Sequence, residues 1–594
     1  PGLDTAEMRI YPELLDSKVL RGWAEDSGSG SETPKVLLPA AALGLWPKSE
    51  AARGIIAELA LLSDSAGYSS PLHALLDAVP ATGDTAAEAE PPLVPAVLSE
   101  SQEAIVRSAR RYPLTFVNGP PGTGKSFTIA AVALDHLARG QSVLIASQSD
   151  AAVDVVGAKI ESAHGVDGCL VRAGKKQYLR ALKKEIETIL GGGRTFADPQ
   201  GSKDASGEWR RRRLPKKLRK MAARFDSLCR REERLGDVLR SRGGGATGWL
   251  KRKYASWRAG RSEPLWEMID EYDGLLELMI EEVKSALVLR RDAELRGCLR
   301  DHRADLQRFL KALRARRGAR KEMLFGETNF TAVLSAFPIW LVKLADVSRV
   351  LPLGCELFDV AIIDEATQCD MASALPVLQR AKRAVVAGDP QQLRGLSFLS
   401  RDRQRQLASR FGIPVDEAFV DYRSTSLLDL VSARIGKQEQ VGFLNEHFRS
   451  TPDIIAFSNG HFYSDRLNIM TDRPSAVRIP ASLLVRHVGG VRSQAGVNQA
   501  EVEAILDELG EIIAAGEAVS VGLLSPFRAQ VDALRDAVAH RFSGADFLQL
   551  TQRHQLRVGT AHAFQGDERD VMLLSFAIDA GIRGMGMRFL ERPD

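Results

Sequence analysis

GPPGTGKS, residues 119–126, follows the short apolar run LTFV (114–117) and precedes a helix-like stretch that Gly140 ends. Its glycines let the backbone curl so that several N–H groups point to one place, and the start of a helix adds partial positive charge there. A loop of this kind between a strand and a helix binds phosphate groups. Strands and helices alternate around it, which predicts an α/β fold with a parallel sheet.

The loop residues predict a nucleotide site. Lys125 is placed to reach the β- and γ-phosphates, and the hydroxyl of Ser126 is placed to ligate Mg²⁺. ATP and Mg²⁺ are therefore the expected ligands. The predicted nucleotide-binding residues of the loop are Gly119, Pro120, Pro121, Gly122, Thr123, Gly124, Lys125 and Ser126.

Two later strands end in polar residues that suit the same chemistry. Asp364 and Glu365 close the apolar strand LFDVAIID (357–364), where they face the phosphate loop across neighbouring strands. We expect Asp364 to hold Mg²⁺ and Glu365 to act as the general base on the attacking water. Gln392, in GDPQQL (388–393), follows another strand, and its amide can hydrogen-bond the γ-phosphate and an adjacent carboxylate.

Composition indicates a globular protein. Of the 594 residues, 44% are hydrophobic and 26% are charged, which excludes collagen-like, mucin-like and wholly disordered chains. No apolar run is long enough to span a bilayer, so we expect no membrane partner. The start of the chain lacks the features of a signal peptide and a Met, which indicates a trimmed or processed chain. The five cysteines form no CxxC pair, which favours a reducing, cytoplasmic compartment, with a nucleoid-associated or nuclear place left open.

Positive charge is concentrated in residues 210–258, which hold 18 Lys and Arg against 4 Asp and Glu. Two heptad patterns, at 214–239 within this segment and at 295–313 after it, predict two long antiparallel helices that form a stalk with its tip at 241–264. The tip carries Lys251, Arg252 and Lys253 among Trp and Tyr residues, a pattern typical of a single-stranded nucleic-acid contact. A solvated turn with its aromatic side chains packed on the stalk is the alternative.

Four motifs stand in a fixed order along the chain: GPPGTGKS (119–126), FDVAIIDEATQ (358–368), VVAGDPQQL (385–393) and VGTAHAFQGDERDV (558–571). Together they resemble the motifs of superfamily 1 helicases of the 5′→3′ branch, the group of the up-frameshift helicase and senataxin. The resemblance covers residues 95–175 and 326–594, and it implies two RecA-like domains with a helical stalk inserted in the first.

The resemblance also implies roles for further residues. It assigns adenine recognition to Gln102, a γ-phosphate contact from the second domain to Arg449, and nucleotide contacts to Gln565 and Glu568. It assigns contacts with the nucleic-acid backbone to five residues, which are Ser147, Ser149, Pro526, Arg528 and Thr560. A sixth motif is expected after FLERPD (589–594), where the sequence ends.

The predicted domains follow from these patterns. Residues 95–174 and 326–440 are expected to form the first RecA-like domain, and 441–594 the second, cut short before the sixth motif. Residues 175–325 are expected to form the stalk and basic insertion, and residues 1–94 an accessory region with linkers.

The predicted function is an ATP-dependent helicase or translocase that acts on single-stranded DNA or RNA. The 5′→3′ direction rests on the resemblance alone, and the motifs do not distinguish DNA from RNA. We expect a monomer, either alone or within a larger complex. The alternative hypothesis is an ATP-gated nucleic-acid-binding switch that does not unwind.

Overall fold

The computed structural model describes most of the chain from residue 91 onward and parts of the chain before it. The described residues are 9–10, 36–37, 50–65, 67–76, 91–163, 170–193, 216–217, 220–221, 223–224, 227–231, 234–239, 246–259, 265–315, 318–395, 397, 399–413, 421–471, 482–564 and 566–579. The chain divides into two compact units, Pro1–Arg53 and Gly54–Asp594. In the first unit, strand β1 pairs in parallel with β2.

The strands are β1 Arg9–Ile10, β2 Val36–Leu37, β3 Leu114–Asn118, β4 Val143–Ser147, β5 Leu170–Ala173, β6 Ile339–Lys343, β7 Val360–Asp364, β8 Ala384–Gly388, β9 Val441–Phe443, β10 Glu446–His447, β11 Asn468–Ile469, β12 Val521–Leu524, β13 Arg557–Gly559 and β14 Val571–Leu574. The helices up to the insertion are α1 Glu50–Ser63, α2 Ser70–Leu76, α3 Glu100–Arg111, α4 Lys125–Ala138, α5 Asp150–Ala158 and α6 Lys176–Leu190. The later helices are α7 Ala246–Ala259, α8 Leu265–Asp301, α9 Arg303–Arg314, α10 Gly318–Glu327, α11 Phe330–Ala336, α12 Met371–Gln379, α13 Arg401–Arg410, α14 Leu427–Arg434, α15 Pro452–Phe462, α16 Gln499–Ala515, α17 Arg528–Arg541, α18 Ala545–Leu548 and α19 Ala561–Phe564.

A seven-stranded parallel sheet forms the centre of the first α/β region, in the order β5-β6-β4-β7-β8-β3-β9. Its central strands β4 and β7 are apolar up to their last residue because helices cover both faces. In β4, for example, Leu144 and Ala146 belong to one core and Val143 and Ile145 to the other, and all four are fully buried. The predicted α/β class is therefore confirmed.

A smaller parallel sheet, in the order β13-β12-β14, lies further along the chain. Its core includes the apolar face of α16, which begins after the cap Asn498 as the sequence predicts. Strand β9 pairs with β3, so the first sheet extends just beyond the predicted boundary at residue 440. The domain limits as a whole stay predictions.

In the chain, β10, α15 and β11 come after the first sheet and before the second. They form a short segment, residues 446–469, that we call the bridging segment. Strands β10 and β11 pair in parallel, and Ile455, Tyr463 and Leu467 form a small core of their own. This segment contacts the first sheet through the loops described below.

The insertion differs in detail from the predicted stalk. A helix, α7, occupies the place of the predicted turn, and α8 ends at Asp301 because His302 leaves the helical conformation with φ −131°. The second heptad pattern therefore falls on two helices. Leu306 and Phe309 of the second helix are buried in the core of the first sheet region and do not form a stalk seam.

The second unit includes α2 and the part of α1 that begins at Gly54. Both pack against the first sheet region. Arg380 is fully buried and donates hydrogen bonds to both carboxylate oxygens of Glu58 in α1. Ser69 donates its backbone N–H to Gln379 Oε1 at 2.9 Å and its hydroxyl to the carbonyl of Leu378 at 2.8 Å. Residues 54–76 are thus part of this fold. None of the described helices is both long and apolar enough to cross a bilayer.

Candidate active site

The phosphate loop lies between β3 and α4, as the sequence predicts. Gly122 and Gly124 have φ values of 74° and 77°, which only glycine adopts without strain. The loop is tied to the sheet because the N–H of Gly119 donates to the carbonyl of Gly388 at 2.9 Å. Thr123 adds a hydrogen bond from its hydroxyl to the carbonyl of Pro120 at 2.7 Å. Helix α4 then begins at Lys125.

Lys125 contacts both predicted acidic residues. Its ammonium group lies 2.5 Å from Glu365 Oε1 and 3.4 Å from Asp364 Oδ1. Burial lowers the pKa of Lys125, but the two carboxylates outweigh burial and raise the pKa above its ordinary value. Burial also raises the pKa of Asp364, against the opposing charge of Lys125. The three side chains form one buried, coupled charge cluster at the phosphate loop.

Glu365 has an unusual backbone conformation, with φ 54°. Its N–H donates to Asp364 Oδ1 at 2.8 Å, and this bond holds the turn. Among the described residues, Glu365 Oε2 and the hydroxyl of Thr367 are buried without a hydrogen-bond partner. Such strain and unpaired polar atoms occur together at functional sites. One oxygen of Glu365 is therefore placed to accept a bond from a ligand or water.

Asp389, which the sequence analysis did not single out, anchors Gln392. This residue follows β8 directly and is fully buried. Its Oδ2 accepts from Gln392 Nε2 at 3.1 Å and from the hydroxyl of Tyr463 at 2.7 Å, and its Oδ1 accepts from the N–H of Gln391 at 3.0 Å. Burial raises the pKa of Asp389 although these three donors oppose the shift. The position of an acidic residue directly after a strand was the signal that could have found it.

The bridging segment lies against the outside of the phosphate loop. Phe448 donates its N–H to the carbonyl of Gly122 at 2.8 Å. His447 Nδ1 lies 2.9 Å from the carbonyl of Pro121, and His447 Nε2 accepts the N–H of Ser450 at 2.8 Å. These two bonds require a neutral imidazole with its proton on Nδ1. Burial is the main reason that the pKa of His447 is lowered.

Arg449 belongs to the same segment and pairs with Glu568, since Arg449 Nε lies 2.6 Å from Glu568 Oε2. The structure thus joins two residues for which the sequence predicted separate nucleotide contacts. A side chain at Gly122 would place its Cβ 2.5 Å from Arg449 Cβ, so Arg449 passes close to the phosphate loop. Gln565 lies outside the described residues.

Gln102 is buried at the start of α3, near the phosphate loop. Its Oε1 accepts the N–H of Ser99 at 3.0 Å in a capping box, and its Nε2 lies 3.3 Å from where a Cβ on Gly124 would stand. The amide therefore has a helix-capping role beside the loop, and its contact with adenine stays a prediction.

The two serines predicted to bind nucleic acid have different environments. Ser147 ends β4 in register with Asp364 and is fully buried, and its hydroxyl has no partner among the described residues. Ser149 caps α5, because its Oγ accepts the N–H of Ala152 at 3.2 Å. Ser147 therefore lies on the side of the acidic pair, whereas Ser149 lies at the start of an exposed helix.

The second region holds the other predicted nucleic-acid residues. Pro526 and Thr560 are partly exposed, and Arg528 is strongly exposed with Asp532 3.6 Å away. They follow the ends of the paired strands β12 and β13, so all three lie at one edge of the smaller sheet.

Helix α7 carries the predicted basic tip. Lys251 and Lys253 are exposed and Arg252 is partly exposed. The ammonium group of Lys253 lies 4.9 Å from the ring centre of Trp249, which is itself 55% exposed. The aromatic side chains of this helix are thus accessible to solvent and do not pack away into the stalk.

Comparison with known proteins gives the family. Two family models, each described as an AAA domain, match residues 97–398 and 423–592, and the first alone covers about half of the chain. Helicase SEN1 of Saccharomyces cerevisiae is 23% identical over 529 residues, which cover 80% of this chain and 21% of SEN1. The chain belongs to the superfamily 1 helicases of the up-frameshift and senataxin-like group.

Other members of this helicase family match in the same way. DNA-binding protein SMUBP-2 of Mus musculus is 22% identical over 556 residues, 87% of this chain and 43% of that protein. An uncharacterized ATP-dependent helicase, MG140 of Mycoplasma genitalium, is 26% identical over 274 residues, 43% of this chain and 23% of that protein. The chain spans less than half the length of these helicase relatives.

The oxygen donors of this site fit a Mg²⁺ ion bound together with a nucleotide. Within the described ranges, no group of three or more His, Cys, Asp and Glu side chains is placed to hold a metal ion. The hydroxyl of Ser126 and the carboxylate of Asp364 are oxygen donors on the two elements that border the phosphate loop. Mg²⁺ typically takes one or two such protein oxygens and completes its shell with phosphates and water.

Proposed function

We propose that this protein is an ATP hydrolase that translocates along single-stranded nucleic acid and unwinds duplexes. The observation that carries the proposal is the charge cluster of Lys125, Asp364 and Glu365 at the phosphate loop. It brings an ammonium group and two carboxylates to one point, a set of groups that suits phosphate binding, metal binding and general-base catalysis. A loop that only binds phosphate does not need the third group.

The proposed chemistry starts with the partners of Lys125. The phosphates of ATP compete with Glu365 for the ammonium group, and Glu365 is then released to orient the attacking water and accept its proton. Gln392, fixed by Asp389, contacts the γ-phosphate, and Arg449 approaches the same group from the bridging segment. Ser126 and Asp364 would hold Mg²⁺, which would supply positive charge at the phosphate oxygens.

Movement along the strand follows from the two sides of this site. Arg449 and Glu568 lie on segments beyond the first sheet, so ATP draws these segments toward the phosphate loop and hydrolysis releases them. Pro526, Arg528 and Thr560 lie at one edge of the smaller sheet, and Ser149 belongs to the first. Alternate closing and opening of the site would therefore pass the nucleic-acid backbone between the residues of the smaller sheet and Ser149 of the first sheet region.

We propose that α7 is a second contact, a wedge or clamp at the duplex junction. Lys251, Arg252 and Lys253 neutralise phosphates there, and exposed Trp249 offers a surface on which a base stacks. Both DNA and RNA fit such contacts; the name of SMUBP-2 assigns DNA binding to that protein. The 5′→3′ direction is proposed from the family.

The cellular compartment and the oligomeric state are also proposals. Four cysteines in the described part of the chain are free thiols, which suits a reducing cytoplasm or nucleoid. The site is assembled within one chain, so a monomer is sufficient for the reaction.

The test is steady-state ATP hydrolysis by the wild type, with and without single-stranded DNA and RNA, beside Glu365→Gln. We expect stimulation by nucleic acid in the wild type and a loss of about 10²–10⁴-fold in the variant. Glu439→Gln is the matched control, because Glu439 is a first-region carboxylate bonded to the hydroxyl of Tyr112. Tight ATP binding without turnover in the wild type would favour the ATP-gated switch.

A further inference from the structure

The hydroxyl of Tyr463 reaches the loop that holds Gln392. It donates to Asp389 Oδ2 at 2.7 Å, and the same oxygen accepts the amide N–H of Gln392 at 3.1 Å. Tyr463 is 8% exposed and Asp389 is fully buried, so the hydrogen bond between them is shielded from solvent. The contact joins the bridging segment to the end of β8.

The position of Tyr463 is fixed by its own segment. Asn459 in α15 makes two side-chain bonds to Leu467, with its Nδ2 donating to the carbonyl at 3.1 Å and its Oδ1 accepting the N–H at 3.0 Å. The ring of Tyr463 packs with Ile455 and Leu467 in the small core of that segment. The hydroxyl is therefore presented to Asp389 by a preorganised turn, and not by a flexible loop.

The electrostatics agree with a lasting bond. Burial raises the pKa of Tyr463, and the charge of Asp389 raises it further, so the phenol stays protonated and remains a donor. The carboxylate of Asp389 receives donors on both oxygens, from the N–H of Gln391 on Oδ1 and from Tyr463 and Gln392 on Oδ2. Removing the hydroxyl would leave Asp389 with one donor fewer in a buried place, where a lost hydrogen bond is most costly.

We infer that Tyr463 is a positioning residue for Gln392: its hydroxyl fixes the carboxylate of Asp389, which in turn fixes the plane of the Gln392 amide. The inference rests on the proposed function, in which that amide contacts the γ-phosphate. The bridging segment also carries Arg449. One rigid segment therefore brings Arg449 to the nucleotide and aligns Gln392 at the same time, so that hydrolysis requires both to be in place.

The experiment compares Tyr463→Phe with the wild type in nucleic-acid-stimulated ATP hydrolysis. Phenylalanine keeps the ring in the small core and removes only the donor. We expect kcat to fall about tenfold, because a buried hydrogen bond to a charged group is lost at the step that uses Gln392. We expect KM for ATP to stay within about twofold, because Tyr463 does not touch the nucleotide.

A double-mutant cycle separates positioning from general destabilisation. In a Gln392→Ala background, Tyr463→Phe should cost nothing further, since the group that it positions is gone. Tyr112→Phe is the matched control: this hydroxyl also donates to a carboxylate, that of Glu439, away from the phosphate loop. It should leave kcat unchanged.

Equal rates for the wild type and Tyr463→Phe, or losses that add in the cycle, overturn the inference while the proposed function stands. Absence of ATP hydrolysis in the wild type overturns both. If Tyr463→Phe melts at a much lower temperature than the wild type, Asp389→Asn is measured in its place, at 10 °C. This variant changes the acceptor of the hydrogen bond that Tyr463 donates. Its loss must also vanish in the Gln392→Ala background, and additive losses there overturn the inference as well.

Discussion

Arg449 Nε lies 2.6 Å from Glu568 Oε2, and this ion pair joins the bridging segment to the turn that precedes β14. The two side chains are 39% and 67% exposed. Exposed ion pairs of this kind contribute about 0–1 kcal/mol to stability. Arg449 can therefore leave Glu568 for a phosphate at little cost, which a buried pair would not allow.

The first prediction separates the two partners of this ion pair. Arg449→Ala should lower kcat for ATP hydrolysis by about 10³-fold or more, because the guanidinium no longer stabilises the negative charge that develops on the phosphate in the transition state. Glu568→Gln should lower it only a few-fold. Steady-state kinetics of both variants check this, and equal losses would contradict a phosphate contact made by Arg449 independently of Glu568.

A second prediction concerns Gly122. Alanine there would be strained by the φ of 74° and would place its Cβ 2.5 Å from Arg449 Cβ. Gly516, at the end of α16, has φ 69° and open space around it, so Gly516→Ala has the strain without the clash. Each change should cost about 1–2 kcal/mol of stability. Only Gly122→Ala should also weaken ATP binding, measured by titration with a fluorescent ATP analogue.

The buried pair of Arg380 and Glu58 gives a prediction about stability. Glu58→Ala leaves a fully buried guanidinium without its carboxylate, and we expect a loss of about 3–5 kcal/mol in the free energy of unfolding. Glu187→Ala, which breaks the half-exposed pair with Arg314, should cost less than about 1 kcal/mol. Urea unfolding measures both variants. A similar small loss for the two would mean that residues 54–76 are not integral to the first sheet region.

His447 gives a pH prediction. Its pKa is lowered in the folded protein from the ordinary 6.5, so its contribution is complete above about pH 6.5 and is lost as the pH falls through the folded value. Protonation of Nε2 removes the acceptor for Ser450. At pH 8 we expect His447→Ala to be about 1–3 kcal/mol less stable than the wild type. Thermal melts from pH 8 to pH 5 should show this gap narrowing, and a constant gap would contradict the assigned bonds.

The basic helix α7 gives the last prediction. Reversal of Lys251, Arg252 and Lys253 to Glu should weaken single-strand binding and make it less dependent on salt, because fewer counterions are released. Lys176, Arg180 and Lys184 on α6 are the matched control, since they are exposed and their reversal changes the net charge equally. Binding titrations at several salt concentrations check both. Equal effects would indicate a general charge effect and no site on α7.

The sequence predicted what depends on local pattern, namely the strands, the phosphate loop and the acidic pair after β7. Of the contacts between distant segments, it predicted that the acidic pair faces the phosphate loop, but not the others described above. Nothing local indicates that Tyr463 meets Asp389, or that α2 packs on α12, since both depend on how the folded segments meet. The heptad pattern was misleading for a related reason. Leu306 and Leu313 pack in the core of the first sheet region. Apolar residues on core helices have nearly the same spacing as those on a stalk seam.

The order of the sheet places β5 directly beside β6, although the whole insertion lies between them in the chain. Helix α6 alone is long enough to return the chain from one strand to its parallel neighbour, as in any βαβ unit. The described helices that follow α6 are therefore additions to one crossover, and the later ones pack back onto the sheet region through residues such as Leu306 and Phe309. A change in the length of these additions would leave the order of the sheet strands unaltered, because the neighbouring positions of β5 and β6 require only the crossover itself.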